Sequence, residues 1–398
     1  MLSLALLLIA GGLSYVLAHR LRVVPGPLVA LVLGALVGHG GLFGHNLLWS
    51  SESLLPPEPL QTFRVMGAVL LMWGAGIELE VAMLRQGRKL LGAAGAGLGG
   101  ALLSGTFTWA LLEWGLLGTF APRERFGLIL LSAASAIPVL LAVVQSLGQL
   151  RHPLTRQALT AALLVDLTLI ALIPLVTAEH PHGDPLAHFA KTLVYLAGMI
   201  ALAEGPLRPL LRRLGLLLWG SSPRQPVVVA IGFGLTLGVV GLAEQLGVEP
   251  LPAALGWGIG SKPLFFPNGD DKLNPFFDVF FPFEAAYFAL AGAMLDLRLV
   301  SPGGLLFACV AIAGKVLGGL PSGRDGLRLG TLLIPRGAVD LVLAVNLLAR
   351  GVLSVEGYAL AVTMIALTTI AGALLARVAF AGTLQEPSRE LERLRVTD

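Results

Sequence analysis

Apolar residues gather along this chain in blocks of about twenty, separated by short stretches that hold most of the charge. About thirteen such segments are predicted, near 2–18, 26–44, 62–80, 90–116, 125–149, 156–177, 186–205, 225–245, 251–261, 276–297, 303–320, 328–350 and 357–381. A helix rises ~1.5 Å per residue, so about twenty residues cross the ~30 Å hydrocarbon core of a bilayer. The ninth segment is too short to cross alone and is expected to be half-buried or to extend into its neighbours. The pattern therefore predicts an all-α polytopic membrane protein surrounded by lipid bilayer.

Composition agrees. The chain has 398 residues, 56% of them hydrophobic and 13% charged, against about 25% charged in an ordinary soluble domain. Its 50 glycines and 25 prolines fall largely inside the apolar segments. There glycine permits close helix packing, and proline is tolerated where neighbours satisfy the freed carbonyls. The single Cys309 excludes an internal disulfide and a cysteine-ligated metal site.

The net charge of +3 reflects topology rather than a nucleic-acid partner. Basic residues cluster on alternate connections: Arg20 and Arg22, Arg85 with Arg88 and Lys89, Arg151 and Arg156, Arg208 with Arg212, Arg213 and Arg224, Lys262 and Lys272, Arg324 and Arg328. The opposite connections carry Glu52, Glu58, Glu179, Asp184, Glu244 and Glu249. Positive charge stays inside. The N-terminus is thus expected outside and the C-terminus in the cytoplasm, with the chain in the cell inner (plasma) membrane. Residues 2–17 lack a basic leader and a cleavage site, and read as the first span. Residues 383–398 read as a short cytoplasmic tail, which leaves no room for a nucleotide-binding regulatory domain.

Chemistry concentrates at few positions. Asp166 lies mid-way through an apolar run, where a charged side chain costs about 2.5–3.5 kcal/mol on insertion scales. Such a residue persists where it faces a wet cavity or binds an ion, so Asp166 marks where the protein is expected to do its work. Ser132, Ser135 and Thr168 offer oxygen ligands to a hard cation, although small hydroxyl residues also serve as packing glue. Pro138 and Pro335 stand near the centres of the fifth and twelfth segments, and each removes a helix donor. Paired broken helices in two halves point to a transporter site. Arg336 and Asp340, four apart and so expected on one helical face, could balance part of the charge of the half-helix ends.

Lys315 either snorkels to the interface or carries an ion pair or a proton. Glu284 either lines the pathway or serves as counter-ion to Lys315 or Arg336. Glu78 reads as an interfacial or packing residue. His152, His180, His182 and His188 fall in connections without metal-ligand spacing. No nucleophile–base pair, metal cluster or phosphate loop supports an enzyme, and no cofactor is called for.

At these residues the chain resembles the monovalent cation:proton antiporters, in particular the branch with bacterial Na⁺/H⁺ exchangers and Kef-type K⁺ efflux systems. The landmarks are 27–38 (PLVALVLGALVG), 67–78 (GAVLLMWGAGIE), 143–148 (VVQSLG) followed by His152-Pro153, Asp166, 314–321 (GKVLGGLP) and 334–337 (IPRG). The resemblance implies the Na⁺/H⁺ antiporter fold, with inverted repeats and two crossing broken helices, in an antiporter domain over 1–382. It also implies a homodimer, in which a core around 62–177 and 276–381 moves like an elevator against dimerisation elements around 1–45 and 186–245. The implied activity is exchange of Na⁺ or K⁺ for protons, with Asp166 binding each in turn. A Kef-like gated K⁺ efflux pore and a transport-inactive membrane sensor are the alternatives. Two positions depart from the family pattern: Val165 stands where relatives carry Asp, Asn or Gln, and Ala338 where many carry Glu. With Asp166 as the one carboxylate, exchange is expected to be one-for-one and electroneutral.

Overall fold

The computed structural model describes residues 2–21, 26–38, 48–49, 55–79, 81, 88–147, 149, 152–177, 184–219, 225–267, 273–323 and 325–380. The tail 383–398, with Arg389, Arg393 and Arg395, lies outside them. So do Arg22, Arg85, Arg151, Arg224, Lys272, Arg324, Glu52, Glu179, His180 and His182.

The described chain is helical. In order come α1 (Leu2–Leu21), α2 (Gly26–Val37), α3 (Glu58–Glu78), α4 (Arg88–Glu113), α5 (Pro122–Ala133), α6 (Ile137–Ser146), α7 (Pro153–Thr177) and α8 (Pro185–Glu204). They are followed by α9 (Arg208–Trp219), α10 (Gln225–Gln245), α11 (Pro250–Phe265), α12 (Leu273–Ala293), α13 (Pro302–Gly319), α14 (Gly326–Leu332), α15 (Ala338–Ala349) and α16 (Val355–Phe380). Among the described residues, six helices are long and apolar enough to cross a membrane: α3, α4, α7, α8, α13 and α16.

Each apolar segment corresponds to a helix, and the fifth and twelfth each correspond to two half-helices. The ninth, drawn as 251–261, is the longer α11. Helix α9 falls in a stretch read as a basic connection. Arg208, Arg212 and Arg213 lower its hydropathy below that of a span, yet its leucines leave it amphipathic. It lies on α11, where Gly215 abuts Leu264, and Arg212 Nε donates to the Pro267 carbonyl at 2.6 Å.

Among the described residues, α4 and α13 form the most extensive helix pairing. Gly100 meets Gly318, and Gly314 meets Ser104. Ser104 Oγ donates to the Ala311 carbonyl at 3.0 Å, and Ser322 Oγ to that of Gly92 at 3.3 Å. Rising numbers on α4 meet falling numbers on α13, so the two run antiparallel. A Cβ on Gly318 would overlap the backbone of Gly100, so this close approach requires glycine. Each of the two helices opens a unit of like order: α4, the interrupted α5/α6 and α7; α13, the interrupted α14/α15 and α16. Antiparallel leading helices make the two units inverted repeats.

The remaining helices form a second packing group, in which α2 lies on α12, α3 on α11, α8 on α11 and α1 on both α2 and α12. Helices α3 and α12, which the expected core 62–177 and 276–381 contains, make their main contacts in this second group. The groups meet along a seam where α7 touches α8 and α11, and α15 touches α3 and α12.

Candidate functional site

Helix α5 stops at Ala133 and α6 begins at Ile137, while α14 stops at Leu332 and α15 begins at Ala338. The two interruptions cross and bond to each other. The Ala136 N–H donates to the Pro335 carbonyl at 3.2 Å, and Ser135 Oγ donates to the Leu333 carbonyl at 3.3 Å. Gly337 packs on Ala136 and Val139, where a Cβ would be too close to both. Pro335 lies inside the second interruption. Pro138 instead falls in the first turn of α6, where a helix has no use for its N–H. Thr369 Oγ on α16 holds the Arg336 carbonyl at 3.0 Å.

An interrupted helix leaves carbonyls without partners at its C-terminal end, which carries partial negative charge. Two buried cations meet the end of α5. The Arg336 guanidinium donates to the Leu131 and Ser132 carbonyls, and Lys315 Nζ donates to the Ala133 carbonyl and to Ser135 Oγ, the latter at 2.9 Å. Lys315 and Arg336 are each 1% exposed. Lys315 therefore reaches inward from α13 to the crossing rather than outward to an interface.

Two carboxylates stand beside the same crossing. Asp166 on α7 is buried and accepts a hydrogen bond from the Ser135 backbone N–H. Asp340 accepts the Gly337 N–H through Oδ2 at 3.1 Å, an N-terminal cap of α15. Asp166 and Asp340 are within electrostatic reach of each other, of Lys315 and of Arg336. Among the described residues neither carboxylate makes a direct ion pair with these cations. Both line one small cleft, whose other walls are the apolar Met72, Ala134, Leu169, Ile170, Ile173, Leu251, Val339 and Leu343. On α7 the lining positions 166, 169, 170 and 173 follow a single helical face. Met72 and Leu251 come from α3 and α11, so the cleft lies on the seam between the two packing groups.

Three expectations change. Thr168 is exposed, and its hydroxyl donates to the Leu164 carbonyl at 2.7 Å; two residues beyond Asp166, it is turned about 200° around the helix, away from the cleft. Arg336 and Asp340 do not share a helical face, because α15 starts only at Ala338 and Arg336 lies in the extended stretch before it. Glu284 is half-buried on α12 in the second group. The charges acting on Lys315 are those of Arg336, Asp166 and Asp340, and Glu284 lies instead within reach of Glu78. Ser132 Oγ turns back to the Ile129 carbonyl at 2.7 Å. Of the hydroxyl candidates, Ser135 stands at the crossing. Met72 and Leu251 carried no signal in the sequence, being two apolar residues among many.

Inverted units whose interrupted helices cross beside buried charges define a membrane transport fold of the broken-helix type. The chain belongs to the family described as sodium/hydrogen exchanger, transmembrane, which matches residues 4–381. Two structures of the sodium proton antiporter MjNhaP1 from Methanocaldococcus jannaschii share the fold. One, at pH 8, has a TM-score of 0.66 at 16% identity, over 96% of either chain. The other, an electron-microscopy map, has a TM-score of 0.67 at 18% identity, over 96% of this chain and 95% of that one. Cation/H(+) antiporter 18 of Arabidopsis thaliana is 25% identical over 394 residues, which cover 90% of this chain. The chain spans 46% of that relative's length.

Proposed function

We propose that the protein exchanges a monovalent cation, Na⁺ or K⁺, for protons across the membrane, with Asp166 binding the two in turn. The observation that carries this reading is the position of Asp166. It is buried beside the crossing of two broken helices, in a cleft at the seam of two helix groups. A charge taken out of water needs compensation. A bound cation supplies it for the ionised carboxylate, and a bound proton removes the need for it. Asp166 is therefore ready to cross only when it carries one or the other, and that competition couples the two fluxes. Lys315 and Arg336 hold the carbonyl end of α5, so the negative end of that half-helix does not trap the cation.

Relative motion of the two groups along the seam would open the cleft to either side, as the resemblance implies. The arrangement of Lys and Arg supports an outside N-terminus and a cytoplasmic C-terminus in the plasma membrane. The homodimer belongs to the same reading. Only 17% of the apolar window of α8 is buried within one chain, and this face is proposed as contact for a second copy, tested by cross-linking in membranes.

The test is cation-evoked proton movement in proteoliposomes, followed with a pH-gradient dye for Na⁺, K⁺ and Li⁺, beside Asp166→Asn. Movement evoked by one cation and abolished in the variant is the expected result. Folded wild-type protein that moves no protons with any of them, or an active Asp166→Asn, overturns the reading.

A further inference from the structure

The α15 half-helix carries a second carboxylate at the same cleft, and half of it has nothing to do. Asp340 is 1% exposed. Its Oδ2 caps Gly337, whereas Oδ1 is buried without a hydrogen-bond partner. An unmet buried carboxylate oxygen is costly and is retained where something fills it part of the time. Asp340 lines the cleft together with Asp166, and every other lining side chain is apolar. The cations nearby do not bond the vacant oxygen: the bonds of Lys315 and of the two terminal Arg336 nitrogens go to α5 carbonyls and Ser135, and Arg336 Nε, buried and likewise unpartnered, makes none to Oδ1.

We infer that Asp340 is a direct ligand of the transported cation, which is held between Asp166 of one inverted unit and Asp340 of the other, at the crossing of the broken helices. This rests on the exchange activity proposed above and adds the residue that completes its site. A hard monovalent cation prefers several oxygen ligands. Val165 and Ala338 supply none, and Asp340 Oδ1 is the free anionic oxygen that remains. The position also accounts for the cap: the Gly337 N–H fixes one oxygen and so aims the other.

Two substitutions separate binding from capping. Asp340→Asn keeps an oxygen that accepts the Gly337 N–H but removes the charge. Asp340→Glu keeps the charge, and glutamate at this helix position also caps well. The assay is cation-evoked proton movement in proteoliposomes over a range of cation concentration. The apparent KM for the preferred cation is expected to rise tenfold or more in Asp340→Asn and to stay within about threefold of wild type in Asp340→Glu. Equal KM values in all three, or equal loss in both variants, reduce Asp340 to a cap and overturn the inference, while wild-type exchange still stands. Absent exchange in the wild type defeats the underlying activity instead. Should Asp340→Asn not fold, Asp340→Glu decides alone through the Na⁺ to K⁺ ratio of apparent affinities. A shift of threefold or more is expected of a ligand, and an unchanged ratio overturns the role.

Discussion

Replacing Arg336 by methionine removes the fork that closes the end of α5. Two charge-assisted bonds are lost, to the carbonyls of Leu131 and Ser132, and both acceptors stay buried. In soluble proteins such bonds are worth about 1.5–3 kcal/mol each. Between membrane helices, measured hydrogen bonds average about 0.6 and reach about 1.7 kcal/mol, because the unfolded chain in the bilayer also finds partners. The membrane values govern here, so the expected loss is about 1–3 kcal/mol, or roughly 5- to 150-fold in the folded-to-unfolded ratio. Arg336→Lys is expected to lose about half of this, since one ammonium cannot span both carbonyls as the guanidinium does. SDS titration of purified protein in mixed micelles should order the midpoints as wild type, then Lys, then Met. Arg298→Ala serves as the control, because its pair with Asp296 is on the surface, and stability should be unchanged. A methionine variant as stable as wild type, or a lysine variant equal to it, refutes the assignment of this fork to the half-helix end.

Other expectations follow from the same geometry. Protons and cations competing for Asp166 should lower the apparent KM for the cation about tenfold per unit rise in pH, over the range in which Asp166 is protonated; a pH-independent KM in proteoliposomes argues against shared occupancy. Gly318→Ala drives a Cβ into the Gly100 backbone and should cost about 1–3 kcal/mol by the same SDS titration. Gly95→Ala on α4, where a Cβ meets nothing, should be neutral or slightly stabilising. Thr168→Ala should leave the apparent KM unchanged, and a tenfold rise would return Thr168 to the site.

The sequence alone determined the class and singled out the ionisable residues that the fold brings to the crossing. Blocks of about twenty apolar residues have one stable answer in lipid, a helix with its backbone bonded internally. Asp166, Lys315, Arg336 and Asp340 stand out because ionisable residues in such blocks are rare and costly. What hydropathy could not show was α9, whose arginines mask an amphipathic helix, or the true length of α11. Periodicity also assumed that α15 ran back through Arg336, and so placed Arg336 and Asp340 on one face.

The tertiary structure decided the pairings. Lys315 and Arg336 answer carbonyls of α5, between 182 and 205 residues earlier in the chain, and no local pattern encodes a partner at that separation. Thr168 lost its place at the site because helix orientation, set by packing, turns it outward. Val165 and Ala338 each remove an expected polar group when read along the chain. Yet the crossing of the broken helices brings Asp340 to the cleft of Asp166, so a second carboxylate stands where reading along the chain counted one. Sequence records which charges the membrane must tolerate. Only the crossing of two distant segments determines which of them face one another.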